Sequence, residues 1–196
     1  KKEGRVNDPR GVAITEDGKI YVADAGNRRI DVFGPDGAFI SAIGPDIGQY
    51  QLVEPTAVAW DPALFIYFVD KGLNKIFKCD PSGALIAAWG EFGSGPGQLD
   101  APDGISFDGS NYLYVLDSKL KRVSVYDKEG LWMTDLFSGG EGRHKLEEPV
   151  AIAVHGDALV IADAGKGRIV SFDLRPSLAP PASVSTQAKE GMVFLS

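Results

Sequence analysis

"VADAGNRRI", residues Val22 to Ile30, reads as the end of one strand, a tight turn and the start of the next. Much the same phrase returns as "FVDKGLNKI" at 68–76, "VLDSKLKRV" at 115–123 and "IADAGKGRI" at 161–169. The aspartates inside it, Asp24, Asp70, Asp117 and Asp163, are 46, 47 and 46 residues apart. A second ladder runs beside the first: Pro9, Pro55, Pro102 and Pro149, spaced 46, 47 and 47. Two independent ladders in step establish a repeated structural unit, and a period in this range suits a four-stranded blade.

Each unit divides into four short strands. Strand a follows the anchor proline ("RGVAIT", "TAVAW", "DGISF", "VAIAV"). Strand b ends on the repeated aspartate ("KIYVAD", "FIYFVD", "YLYVLD", "ALVIAD"). Strand c opens on a basic residue ("RIDVF", "KIFKC", "RVSVY", "RIVSF"), and strand d is "AFISAIG", "ALIAAWG" or "LWMTDLF". Strands b and c are rich in β-branched and aromatic residues, which fit a pleated surface. The c–d links "GPDG" and "DPSG" are turn chemistry, with Pro presetting φ and Gly accepting positive φ. No stretch keeps a 3.6-residue period, so helix is not expected. In the fourth unit "LRPSLAPPASVSTQ" interrupts the pattern before "KEGMVFLS" resumes it, which predicts a c–d loop insertion at 174–188 and a last strand at Met192–Ser196.

A small antiparallel sheet cannot bury both of its faces alone, so such units pack side by side around an axis. The expectation is an all-β chain, a β-propeller of four-stranded antiparallel blades, with residues 1–196 forming one propeller domain or a fragment of one. The blades fall near 7–52, 53–99, 100–146 and 147–196. The phrase "P-x-G-V-A-(I)…V-A-D-x-x-N-x-R-I" over Pro9–Ile30 resembles the NHL repeat family. The resemblance extends over nearly the whole chain and is weakest in unit three, where "SKLKRV" replaces the usual Asn. It implies a propeller that typically has six blades and binds protein, peptide or RNA, with some relatives acting as lyases or lactonases. Four units fall short of six, so further blades or blades donated by another chain are expected.

Bulk properties narrow the classes. The chain of 196 residues is 44% hydrophobic and 24% charged, with 24 Gly, 12 Pro and a net charge of −7. Such acidity argues against nucleic-acid phosphate as a partner, and no apolar run is long enough for a membrane helix. The opening "KKEG", without an initiator Met or a signal peptide, is expected of a processed or excised chain. Secretion or a periplasmic location is slightly favoured by the acidic, β-rich body.

The repeated residues are expected to serve architecture. Each aspartate precedes a basic residue by five: Asp24 and Arg29, Asp70 and Lys75, Asp117 and Arg122, Asp163 and Arg168. Across a tight b–c hairpin that offset suits a turn clamp, either an ion pair or a carboxylate accepting turn amides. Cys79, the lone cysteine, aligns with Phe33, Tyr126 and Phe172 and is expected in the core between blades. Trp60, Trp89 and Trp132 are expected to pack there too. The two histidines, His144 and His155, fall short of the histidine set that the related zinc-dependent amidating lyases use.

Recognition should instead fall to positions that break the repeat. Directly after the anchor prolines stand Arg10, Thr56, Asp103 and Val150, different every time. Lys71, Asn74, Lys119, Lys121 and Lys166 in the b–c loops, with Tyr50 in an entering loop, complete a candidate rim for a protein or peptide partner. The expected function is a non-enzymatic interaction or assembly module without a cofactor. The alternative is a metal-dependent propeller lyase or lactonase, with a divalent cation held by Glu54, Asp103 and Glu148 at the channel mouth.

Overall fold

Runs such as Ile66–Asp70 and Tyr112–Asp117 carry apolar or aromatic side chains on both faces, and a strand of that kind must be covered twice. The computed structural model, which describes residues 4–108, 112–138 and 145–174, shows how. Blade one is the meander β1 (Pro9–Ile14), β2 (Ile20–Asp24), β3 (Arg29–Phe33) and β4 (Phe39–Ile43). A small hairpin, β5 (Asp46–Ile47) with β6 (Tyr50–Gln51), leads to blade two: β7 (Pro55–Trp60), β8 (Ile66–Asp70), β9 (Lys75–Cys79) and β10 (Leu85–Trp89). Blade three is β11 (Pro102–Phe107), β12 (Tyr112–Asp117), β13 (Arg122–Asp127) and β14 (Trp132–Leu136). Blade four contributes β15 (Pro149–His155), β16 (Ala158–Asp163) and β17 (Arg168–Asp173). The loop expected at 174–188 and the strand expected at Met192–Ser196 lie outside the described residues, apart from Leu174.

All pairings within the blades are antiparallel, and the first strands β1, β7, β11 and β15 neighbour one another in series, so they line the axis. The chain is an all-β propeller array of four blades, with no α-helix among the described residues. Directly opposed residues in an antiparallel sheet share a face, which settles the packing. In blade two, Val58, Phe68 and Phe77 stand in one row and face blade one, where they meet Tyr21, Ala23, Ile30 and Val32. The alternate row, Ala57, Val69 and Ile76, faces Ile105, Val115 and Tyr126 of blade three. Blade three meets blade four through Leu116, Val123 and Val125 against Leu159, Ile161 and Val170.

Hydrogen bonds between axial strands stitch the stack. Trp60 Nε1 donates to the Ile14 carbonyl at 2.9 Å, Thr56 Oγ1 to the Pro102 carbonyl at 2.9 Å, and the Val154 amide to Ser106 Oγ at 3.0 Å. Gly11 is required at the first of these interfaces, because a Cβ there would come within 2.7 Å of the Ala57 Cα.

Each b–c turn closes through one residue in the left-handed region: Arg28, Asn74, Lys121 and Gly167, with φ of 57°, 53°, 56° and 56°. Asn and Gly adopt this conformation readily, whereas a residue such as Arg or Lys is strained there. Lys121→Asn should therefore raise stability by about 0.5–1 kcal/mol, read as a higher urea midpoint with an unchanged slope.

Candidate functional site

The repeated aspartates stand at the entrance to each blade, and all four are fully buried. Each carboxylate ties the segment before strand a to the b–c turn. Asp70 accepts the Val53, Glu54 and Leu73 amides at 2.8, 3.0 and 3.0 Å. Asp117 accepts those of Asp100 and Leu120 at 2.7 and 2.9 Å, and of Ala101 at 3.2 Å. Asp163 accepts Glu147 and Glu148, and Asp24 accepts the Asn7 amide and the Asn27 side chain. Burial acts to raise the Asp163 pKa, but the two amides and Arg168 outweigh it and hold the carboxyl below its ordinary value.

The basic partners divide into two groups. Arg168 reaches Asp163 at 2.9 Å and Arg29 approaches Asp24 at 3.5 Å. In blades two and three the expected side-chain pair gives way to other acceptors. Lys75 Nζ donates to the Gly90 carbonyl. Arg122 is held by the Ser94, Gly95 and Gln98 carbonyls and by Asp135 at 3.0 Å. In blade two the carbonyl comes from Gly90, directly after strand d, and in blade three from the loop at Ser94–Gln98 that enters the blade, while the aspartate is already satisfied by amides.

Blade one adds a second buried carboxylate. Arg29 Nε lies 2.7 Å from Asp31 and its Nη2 donates to the same group. Burial, reinforced by the neighbouring Asp24, pushes the Asp31 carboxyl up to about 6. An acid whose folded pKa is raised favours folding while protonated, and this contribution is lost as pH climbs from the unfolded value near 4 through about 6. Asp31→Ser, which installs the residue found at the equivalent Ser124, should gain stability relative to the parent between pH 4 and pH 7. Urea midpoints at both pH values check this.

A second repeated clamp escaped the sequence reading. Asp61 accepts the Phe65 amide and the Tyr67 hydroxyl at 3.0 Å each, and Asp108 accepts the Tyr112 amide and the Tyr114 hydroxyl at 2.9 and 3.1 Å. Burial first, and then the neighbouring carboxylate, pushes both phenols well above their ordinary pKa. The 47-residue spacing of Asp61 from Asp108, and of Tyr67 from Tyr114, is the signal that was available.

Cys79 is fully buried against the blade-one core, and burial pushes its thiol up to about 12, so it is no nucleophile. Trp60, Trp89 and Trp132 pack against the interblade cores. His155 ends β15 at the surface, and His144 lies outside the described residues.

The non-repeating residues converge on the axis. A cavity of about 310 Å³ is lined by Arg10, Thr56, Asp103, Ser118, Glu148, Pro149 and Val150. The residue after every anchor proline therefore contributes to a single mouth, because β1, β7, β11 and β15 start around the same axis. Lys71 pairs with Asp103 at 2.8 Å, the Ser118 hydroxyl donates to the other Asp103 oxygen, and Arg10 pairs with Asp8 at 2.9 Å.

The rest of the expected rim is placed differently. Asn74 and Lys121 occupy the left-handed turn positions. Lys119 pairs with Asp100 at 2.9 Å and Lys166 donates to the Lys145 carbonyl. Tyr50 packs edge-on to Phe77 at 5.3 Å, with the Lys75 ammonium over its ring. Glu54, half-buried, supplies a carbonyl to the Lys71 amide. Among the described residues no three His, Cys, Asp or Glu side chains gather closely enough to hold a metal ion.

Fold and repeat together define the class: a β-propeller array whose first blade carries an NHL repeat. Residues 6–33 match the family model described as NHL repeat. In sequence the chain is similar to the peptidylglycine alpha-amidating monooxygenase of Rattus norvegicus, 30% identical over 103 residues, covering 46% of this chain and 11% of that protein. In structure it is similar to a virginiamycin B lyase from Staphylococcus aureus (TM-score 0.65, 20% identity, 87% of this chain and 55% of that one). It is also similar to the Kuenenia stuttgartiensis hydrazine synthase (TM-score 0.66, 15% identity, 88% and 48%). The structural likenesses, at such identities, carry the fold alone. The chain spans about a tenth of the curated relative and about half of each solved chain.

Proposed function

We propose that this propeller is a recognition module that receives a peptide or protein segment at the axial mouth. One observation carries the reading: four blades that otherwise repeat their side chains each place a different one at the mouth, around a cavity of about 310 Å³. Scaffold positions repeat because every blade solves the same packing problem, and these do not. The lining mixes a guanidinium, two carboxylates and two hydroxyls with the apolar Val150, which suits a polar peptide more than a greasy ligand. Rigid strand starts hold these groups, so little ordering entropy opposes binding.

The test is a selection of peptides on the purified protein, followed by calorimetric binding to Arg10→Ala and Asp103→Ala variants. Selected peptides should lose about tenfold or more in affinity with each change, the size of a hot-spot contact. Peptides that bind all variants equally would refute the reading. A second reading, a metal-dependent lyase, draws on Asp103 and Glu148 sharing the cavity and on the lyase among the structural neighbours. Stoichiometric divalent metal in the purified protein, with an eliminase activity that chelation abolishes, would favour it over peptide recognition.

A further inference from the structure

The residue immediately before each anchor proline is Asp8, Glu54, Ala101 or Glu148, acidic in three blades of four. In blades two and four its backbone amide donates to the buried aspartate of the clamp, so architecture accounts for the backbone. It does not account for the side chain. The Glu54 and Glu148 carboxylates form no hydrogen bond or ion pair among the described residues, whereas the other charges of the mouth are matched. Arg10 meets Asp8 at 2.9 Å and Lys71 meets Asp103 at 2.8 Å. Glu54 belongs to an inner blade, with blade one packed on one side and blade three on the other, so its unmatched charge owes nothing to where the array stops.

These charges act on one another. The hydrogen bond and charge of Asp8, followed by the charges of Glu54 and Asp103, hold the Arg10 guanidinium above its ordinary pKa. Around the cavity, two cations, Arg10 and Lys71, therefore face four carboxylates, and Glu54 and Glu148 are the surplus. We propose that the segment received at the mouth presents a lysine or arginine side chain whose cation is taken by Glu54, with Glu148 adding its charge from the cavity wall; this rests on the mouth being the recognition site. A cleft with an excess of one sign concentrates its field and draws in a partner of the other sign, and the net charge of −7 acts in the same direction. A guanidinium has five donors, so Arg10 keeps N–H groups beyond those on Asp8 for carbonyls of the same segment. Cation and backbone are then held by different groups.

The experiment uses peptides selected from an unbiased library on the purified chain and retained for their dependence on Asp103→Ala. These should share a lysine or arginine at one position, and its replacement by glutamine should weaken binding about tenfold. Glu54→Gln and Glu148→Gln should each weaken the basic peptide by about three- to fivefold, the size of an exposed charge pair. The double variant should bind the basic peptide and its glutamine form equally, a loss of discrimination that a merely structural role would not produce. Neither substitution removes a hydrogen bond or ion pair described above, and unchanged urea midpoints verify the fold. Added salt should weaken the basic peptide on the parent and leave the double variant nearly unaffected. Peptides that depend on Asp103 yet share no basic residue would overturn the proposal and leave the mouth as the recognition site. A double variant that discriminates as the parent does would have the same consequence. Binding that a chelator abolishes would give the carboxylates to a metal ion and overturn it as well. Peptides indifferent to Asp103→Ala would remove the mouth itself, and the proposal with it.

Discussion

Asp117→Ala should lower the stability of the protein by about 3–5 kcal/mol, a large share of the roughly 5–15 kcal/mol available to a domain. The carboxylate is fully buried and receives the amides of Asp100, Ala101 and Leu120. Removing it leaves three donors without a partner, and each buried, unpaired amide costs about 1–3 kcal/mol before water enters. Asp117→Asn keeps one carbonyl oxygen and should lose about half as much. Asp24→Ala should also cost less, because Asp24 accepts one backbone amide and otherwise meets the Asn27 side chain and that of Arg29, which keeps Asp31 as its partner. Urea denaturation orders the four proteins, and an Asp117→Ala protein within 1 kcal/mol of the parent would contradict the clamp.

The second large effect is expected from Tyr67→Ala. Tyr67 is fully buried between blades two and three, stacked on Phe107 at 5.5 Å, edge-on to Trp89 at 6.4 Å, and hydrogen-bonded through its hydroxyl to Asp61. Truncation removes the ring, opens a cavity and leaves one Asp61 oxygen without the phenol, for a loss of about 4–5 kcal/mol. Because repeat arrays gain much of their stability from contacts between neighbouring units, weakening the middle interface should also decouple the halves. The variant is expected to unfold in two steps by denaturant, with the parent unfolding in one. Tyr67→Phe, which loses only the hydroxyl, should retain a single transition with a stability lower by about 1–2 kcal/mol. A single transition in Tyr67→Ala with the parent's slope would show that the blades are not coupled through this ring.

Much of this protein was legible before any coordinates. The prolines and aspartates in step set the number of units, strand b ended where its aspartate stood, and Cys79 could be assigned to the core because its equivalents are aromatic. Local pattern is a good guide where each segment solves the same problem as its homologues. The clamp partners were only half legible. A five-residue offset places Arg29 and Arg168 near their aspartates, but it does not reveal that Gly90, or the loop at Ser94–Gln98, offers carbonyls to Lys75 and Arg122. Those acceptors come from the return path of the chain, which the offset does not contain. The Asp61–Tyr67 and Asp108–Tyr114 pairs were present in the spacing, yet without burial an aspartate in an a–b turn looks like ordinary loop chemistry.

By itself, then, the sequence determined the repeat, the antiparallel strands and the turns, because strand composition and turn residues act over a few neighbouring positions. The tertiary structure alone decided which side chains meet across the axis and which blade faces remain open. Arg10 and Glu148 are far apart along the chain and line one cavity only because rotation about the axis returns the chain to the same place. Val12 and Val58 hold the same position in the repeat, and whether a neighbouring blade covers that position separates an exposed side chain from a buried one.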